Sequence, residues 1–125
     1  MTVLYDAGAL IAADRNARYL WAEHKALLEK GVTPVTTAPV VAQVSRSARQ
    51  VTLRRFLRGC EIAPFTPDDA HAVGNLLSRS GTSDVVDAHV VLHAAARGLV
   101  VVTSDLDDVN RLTSALGTRI AVRTV

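Results

Sequence analysis

Hydrophobic positions in this chain fall into short blocks whose spacing alternates between strand-like and helix-like. Residues 2–6, Thr-Val-Leu-Tyr-Asp, read as a short buried strand that ends on an acid. Small apolar residues from Ala7 to Ala13 continue it as a short helix. Helical spacing runs from Asn16 to Lys30, with Leu20, Leu27 and Leu28 on one side, Trp21 beside them, and Glu23, Lys25 and Glu29 facing water. Gly31 stands where a helix stops. Val32–Thr36 is a second β-rich run, and its Pro34 suggests an edge strand or a strand start.

The second half repeats the alternation. A helix begins at Pro39, where the missing N–H costs little, and extends to about Ser47. Another covers Gln50 to Leu57 and stops at Gly59, before a short strand at Glu61–Pro64. Thr66 caps a helix from Pro67 to about Arg79, with Asp68 and Asp69 in its first turn. Asp84 to Arg97 forms a helix ended by Gly98. Leu99–Thr103 is a continuous β-branched run, the pattern of a strand buried on both faces. A helix occupies most of Asp105 to Leu116, and Ile120–Val122 centres the last strand. Strands and helices joined by short connections predict a three-layer α/β/α sandwich with a mainly parallel central sheet. No repeat or low-complexity linker interrupts it, so residues 1–125 are expected to form a single domain.

Composition narrows the chemistry. Hydrophobic residues make up 49% of the chain, enough for a real core, but aromatics only 4%. Val, Ala, Leu and Ile must build that core, and few rings remain for stacking nucleic-acid bases. The lone Cys60 excludes a disulfide framework or a multi-cysteine zinc site and reads as buried filler. No apolar run reaches the length of a membrane span, and the N-terminus lacks the basic region of a signal peptide. A soluble, cytoplasmic protein is the expectation.

The net charge of +2 conceals a bias: twelve of the fourteen basic residues are arginines, and nine of the twelve acids are aspartates. Arginine matches phosphate with a two-pronged fork, and aspartate is a short carboxylate suited to hard divalent cations. GC-rich coding accounts for the arginine count equally well, but not for where the aspartates sit. In open parallel sheets ligands bind beyond the carboxyl ends of the strands, where strand order reverses. Two strands end on acids there, at Asp6 and Asp105, and Asp84 and Asp87 lie three apart at a helix start. If the first two strands are neighbours, Asp6, Asp87 and Asp105 converge, and a divalent cation is the natural neutraliser of such a cluster. Oxygen ligands favour Mg²⁺ or Mn²⁺ over zinc, and such a site supports phosphodiester hydrolysis by activating water. A helix-capping role competes for Asp84 and Asp105. Asp107 and Asp108 read as solvated acids at a helix start, with Asp108 a candidate support for the site.

Three segments together carry a resemblance: Val-Leu-Tyr-Asp6-Ala-Gly-Ala-Leu-Ile-Ala, Asp84-Val-Val-Asp87-Ala-His-Val-Val, and Val-Val-Thr103-Ser104-Asp105-Leu-Asp-Asp108. Over almost the whole chain the sequence resembles the PIN domain family, and within it the VapC-type toxins of toxin–antitoxin pairs. The resemblance implies a ribonuclease that uses Mg²⁺ or Mn²⁺, an antitoxin partner that blocks the site, and a homodimer. By motif match Asp6, Asp87 and Asp105 would hold metal, with Asp84 as an accessory. One departure is plain: where the family carries a glutamate after the second strand, Pro39-Val-Val-Ala-Gln43-Val places Gln43. Glutamine keeps an acceptor oxygen but loses the charge and the ability to take a proton, so it would orient water only weakly. A catalytically silent PIN domain that binds RNA or assembles a complex is therefore the alternative.

Arg46, Arg49, Arg54, Arg55 and Arg58 follow Gln43 with no acid between residues 30 and 60. They suggest contacts to RNA phosphates or to an acidic partner tail, against the alternative of a solvated face. His89 and His93 lie at i and i+4, but no third metal ligand stands out for them, and they read as ordinary helix histidines. A second aspartate two residues after Asp6, which a dehalogenase-type phosphotransferase needs, is replaced by Gly8. Phosphate-cradling glycine loops are also missing.

Overall fold

The computed structural model describes residues 2–125. β1 (Val3–Tyr5), β2 (Val35–Thr37), β3 (Glu61–Ala63), β4 (Val100–Thr103) and β5 (Val122–Thr124) form one sheet in the order β3-β2-β1-β4-β5. Every neighbouring pair is parallel. The helices are α1 (Ala7–Asp14), α2 (Arg18–Glu29), α3 (Ala38–Val44), α4 (Val51–Leu57), α5 (Pro67–Ser80), α6 (Val85–Arg97) and α7 (Leu106–Leu116). This is the α/β/α architecture that the alternation of elements predicts.

Helices α1 to α4 pack among themselves, α5 to α7 pack on one another, and α6 lies against β2 and β4. The main core joins Leu4, Tyr5, Leu10, Val35, Val40, Leu53, Phe56 and Val101 to Val90 and Ala94 of α6. A smaller one, with Val73, Leu76, Val91, Val109 and Leu112, holds α5, α6 and α7 together. Three of the five aromatics, Tyr5, Trp21 and Phe56, meet in the main core, while Tyr19 and Phe65 are exposed. The His24 ring stacks on Phe56 at 3.9 Å, Trp21 meets Phe56 edge-on, and the Tyr5 hydroxyl shares a 3.0 Å hydrogen bond with His24 Nδ1. Trp21 also donates from Nε1 to the Ala13 carbonyl at 3.0 Å, which ties α2 to α1.

Three boundaries depart from the sequence reading. α3 ends at Val44 rather than Ser47, because the Gln50 side chain takes over the next backbone groups. Gln50 Oε1 accepts from the Arg46 and Ser47 amides at 2.7 and 3.0 Å, and Nε2 donates to the Val44 carbonyl at 3.0 Å. β2 starts after Pro34 and lies inside the sheet, so Pro34 marks a strand start and not an edge. β5 lies at Val122–Thr124, two residues later than the apolar pattern suggests, since pairing of Val101 with Val122 sets its register.

Candidate active site

Strand order reverses between β1 and β4, which pair directly through Val3–Val100, Leu4–Val101 and Tyr5–Val102. Their carboxyl ends therefore open side by side at the place where parallel sheets collect ligands. Asp6 follows β1, and its amide donates to the Val102 carbonyl at 2.9 Å, so the β1–β4 ladder carries one rung past the strand. The carboxylate is buried, with 4% of the residue exposed. One oxygen accepts from the Ala7 amide at 2.8 Å and the other from the Thr103 hydroxyl at 2.8 Å. Thr103 Oγ1 in turn accepts from the Asp105 amide at 3.0 Å. A single buried hydroxyl thus links the two strand ends that carry acids. Thr103 is not recognisable as a site residue from the sequence, because only the pairing of β1 with β4 brings it to Asp6.

The other acids arrive on helix starts. Asp84 caps α6 and accepts from the Asp87 amide at 2.9 Å; Asp105 caps α7 and accepts from the Asp108 amide at 3.3 Å. The capping roles weighed for Asp84 and Asp105 are real, and they coexist with membership of the acidic cluster. Capping fixes each aspartate at a helix N-terminus, where the dipole favours negative charge. Asp87 and Asp108 occupy equivalent places, three residues after each cap. That repeated Asp-x-x-Asp spacing is the signal that marks Asp108 as a partner of Asp87.

Asp84, Asp87 and Asp108 line one cleft of about 310 Å³ with Thr82, Ser83 and Arg111. Asp6 and Asp105 are outside its walls but act on the same charges. Burial pushes the Asp87 carboxyl up to about 7, helped by the nearby charges of Asp6, Asp84, Asp108 and Asp105 in that order. Burial raises Asp6 as well; its two hydrogen bonds oppose the rise, and Asp84 and Asp105 add to it. Hydrogen bonding with the Asp105 carboxyl raises Asp108. The structure therefore brings Asp6, Asp84, Asp87 and Asp105 into one electrostatic neighbourhood, with Asp108 as a fifth member.

The donor set is all carboxylate oxygen, the kind a hard divalent cation takes, and its surplus negative charge is what a cation would offset. Among the described residues no three His, Cys, Asp or Glu side chains stand close enough to enclose a metal ion by themselves. The donor type and the surplus charge suit a divalent cation, which would have to draw the carboxylates closer together.

Gln43 sits on α3 with its side chain exposed. No acid occupies α3, the following loop or α4. Arg46, Arg49, Arg54 and Arg55 are all exposed, but they do not behave alike. Arg46 turns back to donate to the Ala42 and Ser45 carbonyls at 3.3 and 2.8 Å, while the Arg55 guanidinium lies 5.9 Å from the Trp21 ring centre. Arg54 and Arg55 occupy the last turn of α4, where the helix dipole favours cations.

The remaining candidates sit in structural surroundings. Gly8 packs closely against the loop after β4: a Cβ there would collide with the Ser104 side chain. Cys60 is half-buried and burial pushes its thiol up to about 12, as expected of filler. His89 is buried, with Nε2 3.5 Å from Asp69 Oδ2 and the Phe65 ring edge-on to it. His93 Nε2 lies 3.2 Å from Arg97, which pairs with Glu61.

A model of the PIN domain family matches residues 3–113. Several solved structures share the fold. VapBC2 from Rickettsia felis, bound to a DNA fragment from its promoter, superposes with a TM-score of 0.75 at 20% identity, covering 100% of this chain and 99% of the other. FitAcB from Neisseria gonorrhoeae superposes at 0.64 with 16% identity, covering 97% and 96%. PAE2754 from Pyrobaculum aerophilum gives 0.64 with 22% identity, covering 100% and 92%. No curated protein matches the sequence. PIN domains are generally nucleases. No helix among the described residues is long and apolar enough to cross a membrane.

Proposed function

The chain belongs to the PIN domain family, and from that premise we propose that it is a metal-dependent endoribonuclease, the toxin of a type II toxin–antitoxin pair. The observation that carries this reading is the acidic cluster at the reversal of strand order, where Asp87 is pushed up to about 7 by burial and by four neighbouring carboxylates. Asp6, Asp87 and Asp105 would hold Mg²⁺ or Mn²⁺, with Asp84 assisting. Bound there, such a cation would offset the carboxylate charge and supply Lewis-acid polarisation of a phosphoryl oxygen.

The protein's own residues prepare that chemistry. Thr103 and the Ala7 amide hold both Asp6 oxygens in one orientation, so little reorganisation accompanies binding. Burial and the neighbouring carboxylates make Asp87 hold a proton more readily than an ordinary aspartate, so cation binding would weaken as the pH falls through about 7. Arg46, Arg49, Arg54 and Arg55 would hold the RNA backbone through phosphate contacts. With so few aromatics, stacking contributes little. The expected partners are an antitoxin protein that covers the cleft and a second copy of this chain, in the cytoplasm.

Gln43 favours a second reading, a PIN domain with weak or no cleavage that binds RNA or assembles a complex. Its amide takes no proton, and no acid of α3 or α4 replaces it. Cleavage of single-stranded RNA by purified protein with Mg²⁺ or Mn²⁺ separates the two. Cleavage abolished by Asp6→Asn supports the nuclease. An inert wild type that gains cleavage with Gln43→Glu supports the silent module.

A further inference from the structure

We infer that Arg111, through its guanidinium, holds a phosphate of the RNA strand at the mouth of the acidic cleft. This role rests on the reading of the cluster as a site for RNA, and nothing in the residue pattern singles Arg111 out. Arg111 lines the cleft with Thr82, Ser83, Asp84, Asp87 and Asp108, and it is the one cation among those walls. An RNA backbone entering a cleft walled by three carboxylates meets repulsion, and a fixed positive charge at the same wall offsets it.

The position of Arg111 favours an external anion over an internal partner. It lies three residues after Asp108 and four after Asp107 on α7, spacings at which a helical ion pair normally forms. Yet among the described residues no carboxylate oxygen comes within ion-pair distance of it, and its side chain makes no hydrogen bond. Four other arginines are engaged, Arg97 with Glu61, Arg123 with Glu23, Arg46 with backbone carbonyls and Arg55 over Trp21; what sets Arg111 apart from the remaining unpaired ones is its place in the wall of the acidic cleft. Apart from the three carboxylates, the other polar side chains of the cleft, Thr82 and Ser83, are neutral hydroxyls, which leaves Arg111 as the group that draws a phosphate in. Its planar fork suits two phosphate oxygens at once, which a lysine ammonium does not reproduce. This contact would lie on the α6–α7 side of the strand ends, in addition to those proposed for Arg46 and Arg49 of the loop after α3 and for Arg54 and Arg55 of α4.

The test reads binding apart from cleavage. A labelled single-stranded RNA is titrated with the Asp6→Asn chain, with and without Arg111→Ala, over a series of salt concentrations. One lost phosphate contact lowers the slope of log affinity against log salt by about 0.7, and affinity at low salt should fall about tenfold. Arg111→Lys should restore the slope but only part of the affinity. Arg119→Ala, a charge removed outside the cleft, should leave affinity at low salt within about twofold of the parent. An unchanged slope and affinity in Arg111→Ala, an equal loss in Arg119→Ala, or no RNA binding by the parent overturns the inference. A wild type that binds RNA without cutting it defeats the nuclease reading and leaves Arg111 to be judged on the slope alone.

Discussion

Removing the Asp87 charge should make the metal-free protein more stable, a counterintuitive outcome for an aspartate at a helix start. In the fold this carboxyl titrates at about 7, against 3.8 for an ordinary aspartate. The folded state therefore keeps a proton over a range in which the unfolded chain has lost it. Below about pH 4 the group costs nothing; the penalty grows from there to about pH 7, and above that it is complete. At about 1.4 kcal/mol for each pH unit between the two values, the ceiling is about 4 kcal/mol. Asp87 is only half-buried, and solvent screening brings the expectation to about 2 kcal/mol. Asparagine at this position is nearly isosteric, and the Asp87 carboxylate accepts no hydrogen bond that the change would remove. Urea denaturation of wild type and Asp87→Asn in the presence of a chelator, from pH 4 to pH 8, measures the effect. The curves should coincide near pH 4 and separate by about 2 kcal/mol above pH 7, and added Mg²⁺ should narrow the gap by stabilising the wild type. A difference that does not vary with pH, or a variant less stable at pH 8, would refute the account of the cluster.

Three further substitutions probe the packing around the site. Thr103→Val leaves one oxygen of the buried Asp6 carboxylate and the Asp105 amide unpartnered; urea denaturation should show a loss of about 2–3 kcal/mol, and a loss below about 0.5 kcal/mol would deny the link. Gly8→Ala drives a methyl into Ser104, and a loss of about 1–3 kcal/mol is expected by the same assay, partly recovered by adding Ser104→Gly. His89 is buried with neither ring nitrogen hydrogen-bonded, so His89→Leu should be neutral or stabilising by about 1 kcal/mol at pH 7. A thermal unfolding midpoint clearly below wild type would show that the 3.5 Å approach to Asp69 matters more than its length suggests.

Local signals carried most of the fold and part of the site. The acid after β1, the Asp84 cap and the acid after β4 are legible because strand ends and helix starts are written in adjacent residues. What escaped the sequence depends on packing between distant segments. Thr103 reaches Asp6 only because β4 pairs with β1 across 97 residues. Arg111 joins the cleft only because α7 packs against α6, and the same packing brings in Asp108, which the sequence does mark as a candidate support. The α3–α4 loop follows the same rule: a glutamine side chain closes it, and no periodicity announces that. The arginine run illustrates the converse. It is conspicuous in sequence, yet Arg46 and Arg55 have partners of their own within the fold.

The most direct test of the central claim is the cleavage of single-stranded RNA by purified protein, wild type against Asp6→Asn, with Mg²⁺ or Mn²⁺ and then with a chelator. The account predicts cleavage by wild type that the chelator stops and that Asp6→Asn lowers by at least about a hundredfold while its far-UV spectrum is unchanged. Cleavage that survives either the chelator or Asp6→Asn would contradict it.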